Sequence, residues 1–326
     1  RLGRCGGLLL LASATPSVES YYKAKSGVYT LVELTERYGN ARLPEVYIDD
    51  LRKNALGGNL SPFGNLLSEK LTETLSGGDQ AILFLNRRGY NAFLTCRDCG
   101  EAVLCPHCSV SLTRHKHGRV DHLLCHYCGY RSQIPQTCPS CKGSHLAFMG
   151  YGTQKVEEEF GEKFRGRLMR MDADTTTKKS AYDTMLTEFR AHKADVLLGT
   201  QMVAKGHDFP DVTLVGVLNA DSTLYMDDFR AGERTFSMLT QVIGRAGRAE
   251  KKGVAIIQTM NPKHEVIRLA AAQDYKAFYE RDIRIRKAFT FPPFCDIAVL
   301  SIVSHSETDC EKCALEIFEM LKKKTT

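Results

Sequence analysis

The chain has 326 residues, enough for a substantial core and, by length alone, for roughly two domains. Its 25% charged and 43% hydrophobic residues exclude a disordered or low-complexity chain, and a formal charge of +6 suits a nucleic-acid partner without demanding one. No apolar run approaches the ~18 residues of a membrane span, so no membrane partner is expected and the predicted location is the cytoplasm.

Taken in chain order, the first segment has the basic residues, leucines and Ala12-Ser13-Ala14 of a secretory leader. Its apolar stretch 8–12 is shorter than the roughly 7–15 residues such a leader needs. It reads instead as a strand at 8–11 running into Ser13-Ala14-Thr15-Pro16-Ser17, which is also an ordinary helix N-terminus rich in capping hydroxyls. A continuous apolar run at 81–85 predicts a buried parallel strand. A helix follows at 154–164, with Val156, Phe160 and Phe164 on one face. Further strands are expected at 168–171, 195–199, 212–218 and 254–259, and helices at 180–191 and 233–243. Such alternation implies a parallel α/β sheet. From Pro262 the chain reads as helical to about Ala288, then as Phe291-Pro292-Pro293-Phe294, a strand at 297–303 and a last helix to Lys324. The chain does not begin with Met and lacks punctuation at Thr326, so it is expected to be an internal piece of a longer protein.

Between the strand at 81–85 and the helix at 154–164 lies a cysteine-rich stretch. Eight of the twelve cysteines form four Cys-x-x-Cys pairs: Cys96/Cys99, Cys105/Cys108, Cys125/Cys128 and Cys138/Cys141. Each pair presents two thiolates to one metal, and Zn²⁺ takes four ligands tetrahedrally, so four pairs make two sites. The inner pairs have the spacing of a zinc ribbon, which favours a nested arrangement with the outer pairs closing over them. Sequential pairing would have to close a site across the five residues 100–104. Eight thiolates leave no open position for water, so both zinc ions are expected to be structural. His107 and His126 lie inside knuckles and read as solvent-facing side chains. From Cys96 to His145 there are six Lys/Arg, three acids and six of the ten histidines, a composition suited to docking nucleic acid or protein. The other four cysteines, Cys5, Cys295, Cys310 and Cys313, read as plain thiols.

In parallel sheets the functional side chains collect at strand C-terminal ends. Gly199-Thr200-Gln201 and Lys205-Gly206-His207-Asp208 leave one such end, where hydroxyls and backbone N–H groups can grip phosphate. Gln241-Val242-Ile243-Gly244-Arg245-Ala246-Gly247-Arg248 leaves a helix, and residues three apart share a helix face. Arg245 and Arg248 are therefore expected to converge on one polyphosphate.

These segments, in this order, resemble superfamily 2 helicases. Phe84-Leu85-Asn86-Arg87-Arg88-Gly89 before an eight-cysteine insertion is similar, more narrowly, to the primosomal protein N′ family of replication-restart helicases. The resemblance implies a RecA-like parallel-sheet helicase lobe with an inserted double zinc-ribbon-like module and a partial α+β C-terminal domain. Residues 1–30 would end a first RecA-like lobe, 31–89 and 150–260 would form the second, 90–149 the zinc insertion and 261–326 the C-terminal domain. It implies an ATP-dependent 3′-to-5′ helicase that recognises stalled or forked DNA and initiates primosome assembly. Arg245 and Arg248, with Gln241, would be catalytic, and Gly206 and Asp208 would join the arginines at ATP and Mg²⁺. Ser13 and Thr15 would couple ATP turnover to strand separation, and Thr200, Gln201 and Lys205 would meet DNA. The implied partners are forked and single-stranded DNA, replicative-helicase loading proteins and single-strand-binding protein. In that family the zinc pairing is nested.

Nothing here matches Gly-x-x-x-x-Gly-Lys-[Ser/Thr], the loop that holds a triphosphate. The chain alone is accordingly expected not to hydrolyse ATP. That gap keeps a non-enzymatic zinc-bearing binding module open, and another superfamily 2 translocase stays open too, although the eight-cysteine insertion argues against it.

Overall fold

The computed structural model describes residues 6–34, 43–59, 61–85, 93–107, 110–117, 120–125, 128–148, 153–172, 179–200, 209–226, 228–247, 252–300, 302–304 and 306–324. In chain order the elements are α1 (Val18–Lys25), β1 (Glu45–Asp50), α2 (Leu51–Leu56), α3 (Asn65–Ser76), β2 (Gln80–Phe84), β3 (Leu94–Cys96), β4 (Thr113–His117), β5 (Val120–Leu124), β6 (Arg131–Gln133) and β7 (Leu146–Phe148). They continue with α4 (Thr153–Lys163), β8 (Leu168–Met171), α5 (Lys179–Arg190), β9 (Val196–Gly199), β10 (Val212–Val217), α6 (Asp221–Leu224), α7 (Ala231–Ile243), β11 (Val254–Thr259), α8 (Glu265–Ala271), α9 (Tyr275–Ala288) and α10 (Glu307–Lys324). The chain divides into two compact units, one through Ile285 and one covering Arg286–Thr326.

In the first unit a six-stranded sheet runs β1-β11-β10-β2-β9-β8. Every pairing in it is parallel. Side chains alternate across the pleat. Leu83 and Leu198 meet Phe63, Leu67 and Leu71 around α3 and Val156 and Phe160 of α4. Ile82, Phe84 and Leu197 meet Phe189 of α5, Phe236 and Leu239 of α7 and Val266 of α8 on the other side. Strands buried on both faces are predominantly apolar, which is why β2, β9, β10 and β11 are visible as hydrophobic runs. The expected parallel α/β architecture is the one observed.

The cysteine-rich insertion leaves the sheet after β2 and returns at α4. It contributes an antiparallel pair, β3 with β7, and an antiparallel three-stranded sheet, β4-β5-β6. Its small core is Leu94, Val103, Val110, Leu112 and Leu123 with the sulfurs of Cys105 and Cys125.

Three expectations are corrected. Residues 8–11 form no strand, and Leu8, Leu9, Leu10 and Leu11 are 63–91% exposed. In the second unit residues 297–300 form no strand either, and Val299 is 82% exposed. Both segments have strand-like composition, but a strand is stable only against a ladder partner, and among the described residues neither has one. The described part of the second unit is therefore helical, built on the end of α9 and on α10, rather than α+β. The helical stretch after Pro262 is also two helices, broken at Gln273, whose φ of 53° cannot continue a helix. Among the described residues no helix is long and apolar enough to cross a membrane.

Candidate functional site

Three of the cysteine pairs are built on one backbone pattern. The first cysteine donates its N–H to the carbonyl five residues on, and the residue four on donates back to that cysteine. These bonds are Cys96 to Glu101 at 2.9 Å with Gly100 to Cys96 at 2.8 Å, and Cys125 to Tyr130 at 2.9 Å with Gly129 to Cys125 at 2.9 Å. The third turn has Cys138 to Gly143 at 2.8 Å with Lys142 to Cys138 at 2.9 Å. At the fourth, Cys105 donates to Val110 at 2.7 Å. Such turns fold the chain so that both sulfurs of a pair face one point. The β3–β7 register sets Cys96 opposite Leu146, which carries the 138–141 turn to the 96–99 turn. The Thr113–Leu124 register and the Leu104–Ser111 bridge bring Cys125 towards Cys105.

The outer pairs meet: the sulfurs of Cys96, Cys99, Cys138 and Cys141 lie within 4.8 Å of one another. The sulfurs of Cys105, Cys125 and Cys128 meet in the same way, while Cys108 lies outside the described residues. The nested grouping is thus the one the structure brings together. Closest approaches are 3.6 Å for Cys96–Cys141, 3.7 Å for Cys99–Cys138 and 3.6 Å for Cys105–Cys128. Four sulfurs about 2.3 Å from a central zinc stand about 3.8 Å apart, whereas a disulfide spans about 2.05 Å. The spacing fits a metal tetrahedron and excludes cross-links. Burial pushes the Cys99 thiol up to about 12. At Cys138 burial acts the same way, but hydrogen bonds from the backbone N–H groups of Cys141 and Ser140, together with those of the Cys99 and Cys141 thiols, bring the thiol down to about 7. Four thiols this close cannot all ionise without a cation among them. His107 is exposed, its ring edge-on to Tyr130 at 5.3 Å. His126 lies outside the described residues.

The first knuckle is seated on the C-terminal end of β11. Arg52, gripped by Asp50 at 3.0 and 2.9 Å, donates to the Cys99 carbonyl at 3.0 Å. Gly100 has φ +82°, and a Cβ there would stand 2.0 Å from the Met260 carbonyl oxygen, so the sequence Cys-x-x-Cys-Gly is needed for the contact. The Tyr225 hydroxyl donates to the Gly100 carbonyl at 3.1 Å, and Asn261 Nδ2 donates to Glu101 at 2.9 Å. Beneath them the buried Asp221 carboxyl accepts from the Thr259 hydroxyl and the Met260 N–H, both at 2.8 Å. Burial raises that carboxyl to about 6. None of Arg52, Asp221, Tyr225 or Asn261 stands out in the sequence, because each acts through a neighbour remote in the chain.

The helicase-like segments are placed as follows. Ser13 is exposed and accepts from the Thr15 N–H at 3.1 Å. Thr15 Oγ1 lies 2.8 Å from Ser237 Oγ, and Ser237 in turn accepts from Gln241 Nε2 at 3.0 Å. The structure therefore joins Thr15 to Gln241 through a serine that no motif marks. Thr200 is half-buried at the C-terminal end of β9. Gln201, Lys205, Gly206, Asp208 and Arg248 lie outside the described residues. Arg245 is half-buried beyond the end of α7, close enough to Tyr182 for its charge to oppose the burial that raises that phenol. Arg245 lies beyond the end of the helix rather than on its face, and its relation to Arg248 falls outside the described residues. Helix α7 stops at Ile243, Ala246 bonds back to Ile243 at 3.1 Å, and Gly247, at φ +66°, donates to the Val212 carbonyl of β10 at 3.1 Å. The arginine segment is a glycine-closed loop held against the sheet, because two glycines in four residues favour a turn over another helical turn.

Comparison with known proteins adds to this geometry. A model of the helicase conserved C-terminal domain matches residues 139–250, and one of the PriA DNA helicase Cys-rich region matches residues 105–132. Replication restart protein PriA of Bacillus subtilis is 50% identical over 300 residues, covering 92% of this chain and 37% of that protein. The Synechocystis protein of the same name is 42% identical over 311 residues, covering 93% of this chain and 37% of its own length. The Haemophilus influenzae one is 37% identical over 317 residues, covering 97% and 43%. This chain thus spans between 37% and 43% of the length of these relatives. Among solved structures, S. cerevisiae Dbp5 bound to RNA and ADP BeF3 overlaps with a TM-score of 0.44 at 14% identity, covering 87% of this chain and 55% of that one, too loosely to carry an argument. Across the sheet and the cysteine module alike, the chain belongs to the replication restart protein PriA family.

Proposed function

We propose that this chain, as part of a longer protein, supplies the second motor lobe and the zinc module of an ATP-dependent 3′-to-5′ DNA helicase. That helicase would work in the cytoplasm, recognise stalled or forked DNA and initiate primosome assembly for replication restart. The observation that carries the reading is 50% identity to a replication restart protein over 92% of the chain, taking in both the sheet and the cysteine module.

In this reading residues 31–89 and 150–260 form the second lobe, 1–30 end the first, 90–149 are the zinc insertion and 261–326 begin a further domain. Arg245 and Arg248 reach across a cleft to the γ-phosphate of ATP, Gln241 orders them, and Gly206 and Asp208 help enclose ATP and Mg²⁺. Thr200, Gln201 and Lys205 hold one DNA strand by its phosphates, so binding is salt-sensitive and poorly sequence-selective. Cys96, Cys99, Cys138 and Cys141 hold one zinc, and Cys105, Cys108, Cys125 and Cys128 the other. Filled by thiolates, neither ion offers a position to water, and their role is to fix the module's shape. Loading proteins and single-strand-binding protein are the expected protein partners.

The test is DNA-stimulated ATP hydrolysis by the full-length protein. Arg248→Ala is expected to lower it by roughly 10³-fold, as for other arginine fingers, while binding to forked DNA persists. Full-length wild-type protein that binds a fork but hydrolyses no ATP would sink the proposal.

A further inference from the structure

Helix α7 has two faces with different work. Phe236, Leu239, Val242 and Ile243 are buried against the sheet. Arg230, Glu233, Ser237 and Gln241, three and four residues apart, share another face. Each residue of that stripe is engaged with, or one step from, the segment that begins at Ser13. Arg230 donates to Glu19 Oε1 through Nε at 3.0 Å and through Nη2 at 2.8 Å. Glu233 Oε1 accepts the Val18 N–H at 3.2 Å. Ser237 meets Thr15 at 2.8 Å and accepts from Gln241 at 3.0 Å. Tyr275 fixes the same segment from α9, donating to the Pro16 carbonyl at 2.8 Å. The Ser-Ala-Thr segment is therefore laid along the helix whose C-terminal end opens directly into the Arg245 loop.

We infer that the Arg230–Glu233–Ser237–Gln241 stripe is the track by which the Thr15 segment and the Arg245 loop move as one, and that Ser237 is a positioning residue at its centre. The inference deepens the helicase reading above and rests on it. A helix is stiff along its axis, so displacement of residues 13–19 is transmitted to Gly244 and Arg245 rather than absorbed locally. Ser237 is the critical link because its hydroxyl can engage two groups at once, one as donor and one as acceptor. Without it, Thr15 and Gln241 have no group between them, and along α7 the segment is held through Val18 and Glu19, one helical turn or more away, while Tyr275 still bonds Pro16 from α9.

The test uses the full-length protein and reads the ATP consumed per base pair unwound on forked DNA, with thermal unfolding followed in parallel. Ser237→Ala is expected to raise that ratio roughly 3- to 10-fold, the scale of one or two lost hydrogen bonds, with the unfolding temperature lowered by no more than a few degrees. Ser237→Thr, which keeps the hydroxyl, restores the wild-type ratio. Thr15→Val combined with Ser237→Ala costs no more than Thr15→Val alone, since both remove the same link. A Ser237→Ala protein that unwinds at the wild-type ratio overturns the inference, and so does a Ser237→Thr protein as impaired as the alanine variant. Wild-type protein that hydrolyses no ATP on a fork overturns the helicase reading and this one with it, a failure distinct from the other two.

Discussion

The sheet and the cysteine module meet at one seam yet are held together in different ways. In the sheet, burial is spread over six parallel strands with helices on both faces, so no single side chain carries the fold. In the module, seven buried residues among those described form the core, two of them cysteines, too small a core to stand without a staple. There the fold depends on a few sulfurs and on turns that aim them. The lobe is consequently stable in a distributed way, while the module's order is conditional on what its sulfurs bind.

Stripping the metal tests that contrast most severely. Metal binding by small zinc folds is worth roughly 10–16 kcal/mol of folding free energy. Strong chelation, or Cys138→Ala for the outer site alone, is expected to abolish hydrogen-exchange protection across 94–148 and to leave β2, β9, β10 and β11 protected. Loss of protection in those strands to the same degree would mean that the two regions are not separately stabilised.

The converse change is Phe84→Ala in the fully buried β2. It removes a large side chain from the shared core and should cost about 3–5 kcal/mol, read as a lower urea midpoint. Zinc content per chain should remain that of the parent protein. If zinc is lost along with lobe stability, the module depends on the sheet more than the comparison allows.

A smaller effect is expected at the seam, from the buried Asp221. Burial raises its carboxyl to about 6, above the usual 3.8, so the native state binds the proton more tightly than the unfolded chain. The sign follows: the contribution is fully present below about pH 4 and is lost as pH rises through about 6. The loss is on the order of 2–3 kcal/mol by pH 7. Asp221→Asn lacks this titration, so the difference in unfolding free energy between variant and parent should shift in favour of the variant between about pH 4 and pH 7. Parallel stability curves over that range would show that Asp221 is not held in the native state as its burial indicates.

Legibility in the sequence followed the same divide. Strands β8 and β11 fall on the residues that hydrophobic patterning marks, β11 because it is interior and β8, although it is an edge, because Leu168, Met169 and Met171 keep its short run apolar around Arg170. Strand β1 was not marked. It is the sheet's other edge, and there Glu45, Asp49 and Asp50 break the apolar pattern, although Ile48 and the register with Ile257 tie it firmly to β11. Helix α3 also passed unmarked, its Leu67 and Leu71 diluted by polar neighbours. The opposite error occurred at 8–11 and 297–303, where apolar runs suggest strands that find no partner among the described residues. At the site, Thr15 and Gln241 were legible as members of motifs, whereas Ser237 was not, since its role arises only where two remote segments touch.

The sequence by itself determined which cysteines act together in pairs, where the interior strands run and which family the chain resembles, because these depend on local spacing and on runs of like residues. Tertiary structure alone decided that the outer pairs meet in one cluster and that β2 lies between β10 and β9. It also decided that the Arg245 segment closes as a loop on β10 rather than extending α7, and that Thr15 reaches Gln241 through a serine 222 residues away in the chain. Such contacts carry no local signature: any hydroxyl suffices chemically, and only the packing of the whole lobe determines which one is within hydrogen-bonding distance.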